Sequence, residues 1–301
     1  MSYALGIDLG GSSVKTVAVT PDGKTLGQAV LAFDAEAKMD WAQKIRGVVE
    51  QLQAEQNRPA SQIGLSAPGL AAKDGRSIAH MPGRLQGLEG LEWAAFLKTS
   101  HTVPVLNDAH AALLGEAWLG AARGFQNVIL LTLGTGVGGA AMVDGRLLLG
   151  HIGRAGHLGH TSLDIDGPPD VCGTPGSLEV MIGNCTIAER SHGRFQTTHD
   201  LVAAHLAGDA EASHVWLRSV RALACAIASF ANILDPEAAI VGGGIARCDE
   251  ALFEPLRRMV AEVEWKSAGY QVKVVPAALG EFAGAFGAAR HAMRESGALR
   301  E

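Results

Sequence analysis

The chain has 301 residues, of which 31 are acidic and 25 are basic, so its formal net charge is −6 at pH 7. Apolar residues make up 48% and charged residues 19% of the chain, a composition that excludes a disordered protein and fits a globular one. The acidic balance argues against a nucleic-acid-binding protein, because binding to a nucleic-acid backbone normally needs a basic surface.

Cysteine usage and the absence of a leader pattern favour the cytoplasm. The four cysteines are scattered and form no C-x-x-C pair, which indicates a reducing compartment rather than a disulfide scaffold. The first nine residues lack a basic segment followed by a long apolar one, so no signal peptide is predicted. The uncharged run 124–143 is long enough to span a bilayer, but its glycines predict two strands around a turn. We expect a soluble, cytoplasmic protein with no membrane partner.

The first third of the chain predicts strands joined by tight turns, followed by alternating helix and strand. Strand patterns cover residues 4–9, 14–20 and 28–33, and Pro21-Asp22-Gly23 forms the second turn. A helical period follows over 41–53. We further predict a strand at 63–66, a loop over 71–90, a helix near 93–98, a strand at 103–106 and a helix from Asp108 to about residue 121.

A second series of elements resembles the first and begins at Val128. Strands are predicted at 128–133 and 138–143, and residues 150–176 form an irregular stretch rich in Gly, Pro and His. The remaining predictions are a long helix over 214–234, a strand at 239–241, a helix, a strand at 271–275 and a last helix at 283–294. Because both series open with strands around a glycine turn, we predict an α/β fold of two similar lobes with a cleft between them.

Three glycine-rich turns at the ends of predicted strands indicate a phosphate-binding site. Backbone N–H groups can approach phosphate oxygens closely where no Cβ intervenes. Asp8, which precedes the first turn, could hold a hydrated Mg²⁺ ion. A plain hairpin turn explains any one of these segments, but three of them favour nucleotide binding, although none is a Walker A loop. The residues concerned are Gly10, Gly11, Ser12 and Lys15, then Gly134, Thr135, Gly136 and Gly138, and finally Gly242, Gly243 and Gly244.

The dipeptide Asn107-Asp108 lies where a predicted strand meets a helix. A carboxylate at this position can act as general base towards a substrate hydroxyl, while the amide orients the acceptor. The alternative is a helix N-cap, for which Asn and Asp are preferred residues.

Taken together, the motifs resemble those of the ROK sugar kinases, in the same order and over nearly the whole chain. They are Asp8-x-Gly-Gly-Ser-x-x-Lys15, Pro68-Gly69, Asn107-Asp108-Ala109-x-Ala111-Ala112, Leu133-Gly-Thr-Gly-x-Gly-Gly139, Gly156-x-x-Gly-His160, Cys172-Gly-x-x-Gly-x-Leu-Glu179 and Val241-Gly-Gly-Gly-Ile245. The resemblance implies the two-lobed actin/hexokinase-like (ribonuclease H-like) fold, with ATP and sugar in the interlobe cleft. The lobes would be residues 1–121 together with a C-terminal helix at 283–301, and residues 122–282.

The family resemblance also implies the roles of individual residues. Asp108 would be the catalytic base, and the first two glycine turns would hold the phosphates of ATP, with Mg²⁺ near Asp8. The turn 242–244 would lie near the adenosine. Transfer to the 6-hydroxyl of a hexose and a homodimer are the family's usual features. The residues expected to bind the sugar are Pro68, Gly69, Asn107, Asp108, His157, His160 and Glu179.

One departure from the family pattern concerns the sugar. His157 occupies the position at which the ROK kinases carry a glutamate. A neutral imidazole offers one acceptor and a charged imidazole offers none, so the recognition of hydroxyl groups must change there. We expect His157 to select a sugar or substituent other than that of glucose. The alternative is a histidine that only packs within its loop.

A second departure concerns zinc, which members of the family hold with the Gly-His histidine and three cysteines. The corresponding positions here are His160, Asp170, Cys172 and Ser177, so one thiolate remains. A serine is a poor zinc ligand in a structural site. We predict no tightly bound zinc, while a weak site at His160, Asp170 and Cys172 remains the alternative.

The sequence therefore predicts an ATP-dependent sugar kinase. The second hypothesis is a sugar- or nucleotide-binding sensor that does not phosphorylate common hexoses, which the altered His157 and the altered zinc loop motivate. A DNA-binding regulator is disfavoured, because the chain begins directly at the first predicted strand and carries a net negative charge.

Overall fold

A computed structural model describes residues 2–34, 37–81 and 85–298. Within these residues the chain forms two compact units. The described residues of unit 1 are 2–34, 37–81, 85–123, 149–155 and 279–298, and unit 2 comprises Gly124–Leu148 and Gly156–Ala278. Each unit contains one five-stranded mixed sheet. The last three residues of the C-terminal segment predicted at 283–301 lie outside the described residues.

Strands and helices alternate along much of the chain. The strands are β1 (Ala4–Leu9), β2 (Ser13–Val19), β3 (Thr25–Ala32), β4 (Gln62–Ala67), β5 (Leu70–Ala71), β6 (Ile78–His80), β7 (Val105–Asn107), β8 (Val128–Leu133), β9 (Val137–Val143), β10 (Arg146–Leu147), β11 (Ala238–Gly242) and β12 (Lys273–Pro276). The helices are α1 (Asp40–Glu55), α2 (Trp93–Phe96), α3 (Asp108–Leu119), α4 (Leu178–Ile182), α5 (Ile187–Arg190), α6 (Thr198–Leu206), α7 (Ala210–Leu234), α8 (Glu250–Val263) and α9 (Ala283–Glu295). Short 3₁₀ turns lie at Leu158–His160, Asn184–Thr186, Ile245–Cys248, Ser267–Gly269 and Gly280–Phe282.

The sheet of unit 1 has the strand order β3-β2-β1-β4-β7. β1, β2 and β3 are antiparallel neighbours, whereas β4 and β7 run parallel to β1. The helix α1 buries its apolar stripe, including Trp41, Ile45 and Leu52, in the core on one side of this sheet. The parallel strands β1, β4 and β7 therefore end at one edge of the sheet.

Small residues bring α9 very close to α3 and to the sheet of unit 1. A Cβ on Gly287 would lie 1.6 Å from the Ala111 carbonyl oxygen of α3. Similarly, a Cβ on Gly6 of β1 would lie 1.8 Å from the Ala285 carbonyl oxygen of α9. Because the backbones themselves are in contact, these glycines determine the position of α9.

The sheet of unit 2 has the order β10-β9-β8-β11-β12. β8, β11 and β12 are parallel, and β8, β9 and β10 are antiparallel neighbours. The core of this unit is formed by the sheet, α7 and α8, and its largest buried side chain is Trp216. The ends of β8 and β11 consequently lie side by side.

Most predicted strands and long helices are present, and their bounds differ by a few residues. The region predicted as a loop over 71–90 contains β6, which pairs with β5, and residues 82–84 of it lie outside the described part of the chain. The helices α4, α5 and α6 were not predicted, because each is nine residues long or shorter and shows too few turns for a clear period.

Among the described helices, α7 alone is long and apolar enough to cross a membrane by length and composition. Its side chains Trp216, Val220, Leu223 and Ile227 are buried in the core of unit 2. A core helix of a globular protein meets the same criteria, so α7 is weak evidence for a membrane span.

Candidate active site

In unit 1, polar side chains stand where three parallel strands end. Asp8 and Ser66 lie near the ends of β1 and β4 and face each other in register, and Asn107 ends β7. The Ser66 hydroxyl donates a hydrogen bond of 2.6 Å to Asp8 Oδ1. Asp108 follows as the first residue of α3. The structure therefore brings the expected base and the expected magnesium-holding carboxylate to one edge of the sheet.

The ionisation of Asp8 is strongly perturbed by its surroundings. Burial is the main cause that raises the pKa of Asp8 from 3.8 to about 6, and the negative charge of Asp108 adds to it. The hydrogen bond from Ser66 and the charge of Lys15 act in the opposite direction. Two carboxylates that repel each other favour a bound cation, and carboxylate oxygen is a ligand that Mg²⁺ prefers. These residues therefore fit a magnesium ion held through Asp8.

Asn107 is the N-cap of α3, as the cap alternative predicts. Its Oδ1 accepts hydrogen bonds from the backbone N–H groups of Ala109 at 3.0 Å and His110 at 3.3 Å. Its Nδ2 donates to the Gly69 carbonyl at 3.0 Å. Since the side chain is buried and both its polar groups have partners, Asn107 ties the Pro68-Gly69 turn to the residue that precedes Asp108.

Gly69 itself needs the conformational freedom of glycine. Its φ is +98°, and a Cβ would lie 2.5 Å from the His80 carbonyl oxygen. Pro68, directly before it, follows the end of β4 and is partly exposed. The turn is thus fixed between β6 and the cap of α3.

The first glycine turn lies between β1 and β2. The Gly10 N–H donates to the Ser13 carbonyl at 2.9 Å, and Gly11 and Ser12 are exposed at the tip. A Cβ on Gly10 would lie 3.2 Å from Lys15 Nζ, so the ammonium group lies against the turn. An exposed turn with an adjacent cation suits a phosphate group.

In unit 2, the other two glycine turns share one sheet edge. β8 and β11 are parallel neighbours, and Gly242 pairs with Thr132 near their ends. Gly243 has a φ of +89°, and a Cβ there would lie 2.3 Å from the Leu133 carbonyl oxygen. Gly243 therefore packs directly against the residue that precedes the Gly134 turn, and it leaves no room for a side chain. Gly244, Thr135 and the flanking glycines Gly136 and Gly138 are exposed or partly exposed.

The turn at residues 134–136 is supported from behind by neighbouring backbone and by Glu179. The backbone N–H groups of Asn184 and Cys185 donate to the carbonyls of Gly134 and Thr135 at 2.9 and 2.8 Å. Glu179 Oε2 accepts from the Val137 N–H at 2.9 Å, and a Cβ on Gly136 would lie 2.1 Å from this oxygen. Glu179 thus contacts the predicted phosphate turn, a contact that the sequence did not indicate.

The loop that carries His157 and His160 packs on β9. A Cβ on Gly159 would lie 1.8 Å from the Val137 carbonyl oxygen, which fixes the loop beside the same strand that Glu179 contacts. His157 and His160 are half-buried. The structure therefore brings together in unit 2 the three candidate sugar residues and the second glycine turn.

The residues at the family's zinc positions form a hydrogen-bonded cluster. His160 Nδ1 lies 2.8 Å from Asp170 Oδ2, and Cys172 Sγ lies 3.6 Å from His160 Nε2. Burial opposes ionisation of Asp170, but hydrogen bonds from His160, from the Thr174 and Cys172 N–H groups and from Ser177 lower its pKa.

This cluster fits a structural zinc ion poorly. Ligand atoms of His160, Asp170 and Cys172 lie within 4.8 Å of one another. The fourth position is Ser177, whose buried hydroxyl accepts from the Val180 N–H at 3.4 Å as the cap of α4. Because structural sites use four Cys, His or carboxylate ligands, the expectation of no tightly bound zinc stays a prediction that this geometry supports.

Comparison with known proteins identifies the family. Residues 4–295 match the ROK family. A glucokinase of Thermotoga maritima is 33% identical over 95% of either chain, and an N-acetylmannosamine kinase of Citrobacter koseri is 30% identical over 95% of this chain and 97% of its own. The crystal structure of a ROK hexokinase from Thermus thermophilus superposes with a TM-score of 0.83 at 30% identity, over 99% of this chain and 100% of that one. The fold is therefore the actin/hexokinase-like fold that was predicted. By the span and identity of these matches, the chain is a member of the ROK family.

Proposed function

We propose that this ROK protein, an ATP-dependent sugar kinase, transfers the γ-phosphoryl group of ATP to the 6-hydroxyl of a hexose or hexose derivative, with Asp108 as the general base. The observation that carries this proposal is the placement of Asp108 at the start of α3, at the same sheet edge as Asp8 and Asn107. Relatives named glucokinase and N-acetylmannosamine kinase support the reaction class.

The carboxylate of Asp108 is held in position at a helix start. Its Oδ1 accepts a hydrogen bond of 2.8 Å from the Ala109 N–H, and the positive end of the α3 dipole lies beside it. Asn107 acts as a positioning residue, since its side chain caps the helix and holds Gly69. Removing the hydroxyl proton as the phosphorus–oxygen bond forms makes the sugar oxygen a better nucleophile.

The phosphates would be held by backbone N–H groups and by Lys15. In this proposal the turn at residues 10–12 and the turn at residues 134–138 contact the phosphates, while the exposed Gly243 and Gly244 lie against the nucleoside. Phosphoryl transfer depends on positioning and on charge stabilisation, which such donors supply. Mg²⁺, when bound through Asp8, would neutralise charge on the transferred group.

In unit 2, His160, Glu179 and His157 would contact the sugar. Glu179 and His160 are both partly exposed, so a free side of each can meet a hydroxyl group while the other side keeps its protein contact. His157 supplies an imidazole where a carboxylate would accept two hydroxyl hydrogen bonds. We therefore propose that an N-acetylated or otherwise substituted hexose is preferred to glucose. We also expect a homodimer and a cytoplasmic location, where ATP is available.

The test is ADP release with a panel of hexoses, N-acetylated hexosamines and ketoses, comparing the wild type with Asp108→Asn. The variant should retain its melting temperature and sugar binding but lose at least about a thousandfold in kcat, because general-base catalysis and the associated positioning are removed. Asp22→Asn, an exposed carboxylate on the turn between β2 and β3, serves as the control and should leave kcat unchanged. An active Asp108→Asn variant would refute the role of this residue. ATP or sugar binding without turnover of any sugar by the wild type would favour the sensor hypothesis.

A further inference from the structure

Arg190, the last residue of α5, is a half-buried cation that forms no ion pair with any carboxylate in the described part of the chain. Its guanidinium donates to Thr186 Oγ1 at 3.1 Å, to Ser219 Oγ at 2.6 Å and to the Gly183 carbonyl at 2.8 Å. No carboxylate of the described residues lies within ion-pair distance of it. Burial lowers the pKa of Arg190 to about 10, although the group remains charged at neutral pH. A desolvated charge without a counter-ion reduces the stability of the folded protein.

The neighbours of Arg190 do not need an arginine at this position to satisfy their hydrogen-bonding groups. The Ser219 hydroxyl also donates to the Val215 carbonyl at 3.0 Å. The Thr186 hydroxyl donates its one proton to the Val180 carbonyl at 2.8 Å or to the Gly183 carbonyl at 3.2 Å, and the Gly183 carbonyl also accepts from the Thr186 N–H at 3.4 Å. Each partner of Arg190 would therefore keep a hydrogen bond if the arginine were replaced. A neutral side chain of similar length would fill the same space without a buried charge.

The guanidinium of Arg190 is connected by hydrogen bonds to the segment behind the second glycine turn, residues 134–136. It holds the carbonyl of Gly183, and the next two residues donate their N–H groups to the carbonyls of Gly134 and Thr135. Gly183 has little freedom, because a Cβ there would lie 2.6 Å from the Glu179 carbonyl oxygen and 3.1 Å from the Thr135 carbonyl oxygen. One side chain thus anchors the segment on which the turn rests.

The electrostatic surroundings agree with a role towards an anion. Burial is the largest cause that raises the pKa of the Cys185 thiol, which lies beside the turn. The negative charges of Glu179 and Glu189 raise this pKa further, whereas the positive charge of Arg190 lowers it. Glu179, which accepts from the Val137 N–H, contributes a negative charge at this turn. Arg190 supplies a positive charge that acts on the same thiol, beside the turn where a polyphosphate would bind.

We propose that Arg190 is a positioning residue for ATP: it anchors residues 183–185 beneath the turn at 134–136, and its unpaired positive charge favours a triphosphate on that turn. This inference rests on the proposed kinase function. In the ligand-free protein, Arg190 lowers the stability of the fold because its charge is buried. In the complex, the same charge raises the affinity for the nucleotide.

The experiment compares Arg190→Met, Arg190→Gln and Arg190→Lys with the wild type in the full chain. Calorimetry measures the dissociation constant of the magnesium complex of the ATP analogue AMP-PNP, and a thermal scan measures the ligand-free melting temperature. Steady-state kinetics give KM for ATP, KM for the sugar and kcat. Arg218→Met, an exposed arginine one residue before Ser219 on α7, controls for the loss of one positive charge.

We expect Arg190→Met to weaken AMP-PNP binding by about tenfold or more, as for the loss of a charged hydrogen-bond donor. Its ligand-free melting temperature should equal or exceed that of the wild type, and KM for the sugar should stay within about twofold. Arg190→Lys, which keeps the charge, should bind AMP-PNP better than Arg190→Gln, which keeps a donor but no charge. Arg218→Met should behave as the wild type does.

Two results would overturn the proposal. Equal AMP-PNP affinity in wild type and Arg190→Met would remove any role of Arg190 towards the nucleotide. A parallel loss of melting temperature, sugar affinity and nucleotide affinity in Arg190→Met and Arg190→Gln would show a structural role instead. If the wild type itself bound no nucleotide, the kinase function would fail and the inference with it, and this outcome is distinct from the other two.

Discussion

The carboxylate of Asp8 accepts a hydrogen bond of 2.6 Å from Ser66, a residue that lies far from it in the chain. The place of Asp8 at the end of β1, before a glycine turn, was predicted, and so was a role near phosphate. Ser66, which donates to Asp8, was not predicted, because the pairing of β1 with β4 links residues that are far apart in sequence. The only available signal was a small hydroxyl residue at the end of a second buried strand.

The raised pKa of Asp8 predicts a pH-dependent effect of Asp8→Asn on stability. Burial and the Asp108 charge raise the pKa of Asp8 to about 6, above its unfolded value, so the folded protein favours the protonated acid. The protonated side chain of Asp8 therefore makes the folded protein more stable than the ionised side chain does. This contribution to the free energy of unfolding is complete below about pH 4 and is lost as the pH rises through 6. The asparagine side chain of the variant has no charge to desolvate and can still accept the hydrogen bond from Ser66.

We therefore expect Asp8→Asn to be more stable than the wild type at pH 8 by up to about 3 kcal/mol, since one pKa unit corresponds to about 1.4 kcal/mol. The gain should disappear near pH 4. Urea unfolding at pH 4.5, 6 and 8 in magnesium-free buffer measures the difference. A difference that is constant across these pH values would contradict the assigned cause.

Among the secondary-structure elements, the long helices and strands could be predicted from the sequence, whereas the elements that they pack against could not. The periods of α1 and α7 and the apolar runs of β1 and β8 correspond to observed elements. The short helices α4 and α5 were missed, although they carry the candidate residues Glu179 and Arg190, because helices of four or five residues show too little periodicity. The last helix was predicted at 283–294, but only the structure shows that α9 packs against α3.

Two glycine-to-alanine changes, one at the α3–α9 contact and one on the exposed face of α1, should have opposite effects on stability. In Gly287→Ala the new Cβ would lie 1.6 Å from the Ala111 carbonyl oxygen, so two backbones must separate. We expect a loss of unfolding free energy of about 3 kcal/mol or more, the range for overpacking a rigid contact. The matched control is Gly47→Ala in the exposed face of α1, where no atom lies within 4 Å.

Gly47→Ala should stabilise the protein by about 0.5–1 kcal/mol, because alanine has the higher helix propensity. Chemical unfolding of both variants under one condition measures the pair. Equal and small effects of the two changes would show that α9 can shift away from α3 at little cost, which contradicts the packing described here.

For the whole molecule, the repeated order of elements was visible in the sequence, because each half opens with strands around a glycine turn. The division into units was harder, since Leu149–Ala155 belongs to unit 1 although both neighbouring segments belong to unit 2. No local pattern distinguishes such a segment from an ordinary loop. The candidate site followed from motif order, whereas contacts such as those of Glu179 with Val137 and of Arg190 with Gly183 required the fold.

The stability of the whole molecule gives a last prediction, which separates binding from phosphoryl transfer. A ligand that binds only the folded chain stabilises it by about 2.7 kcal/mol at a hundred times its dissociation constant. The 6-deoxy analogue of the sugar selected by the panel keeps the hydroxyls of the ring but lacks the proposed acceptor. It should raise the melting temperature nearly as much as the sugar does and release no ADP above the background of ATP hydrolysis. The same analogue should inhibit turnover of the parent sugar competitively. ADP release at the rate of the parent sugar would place the acceptor on another hydroxyl and refute transfer to the 6-hydroxyl, while leaving the kinase function in place.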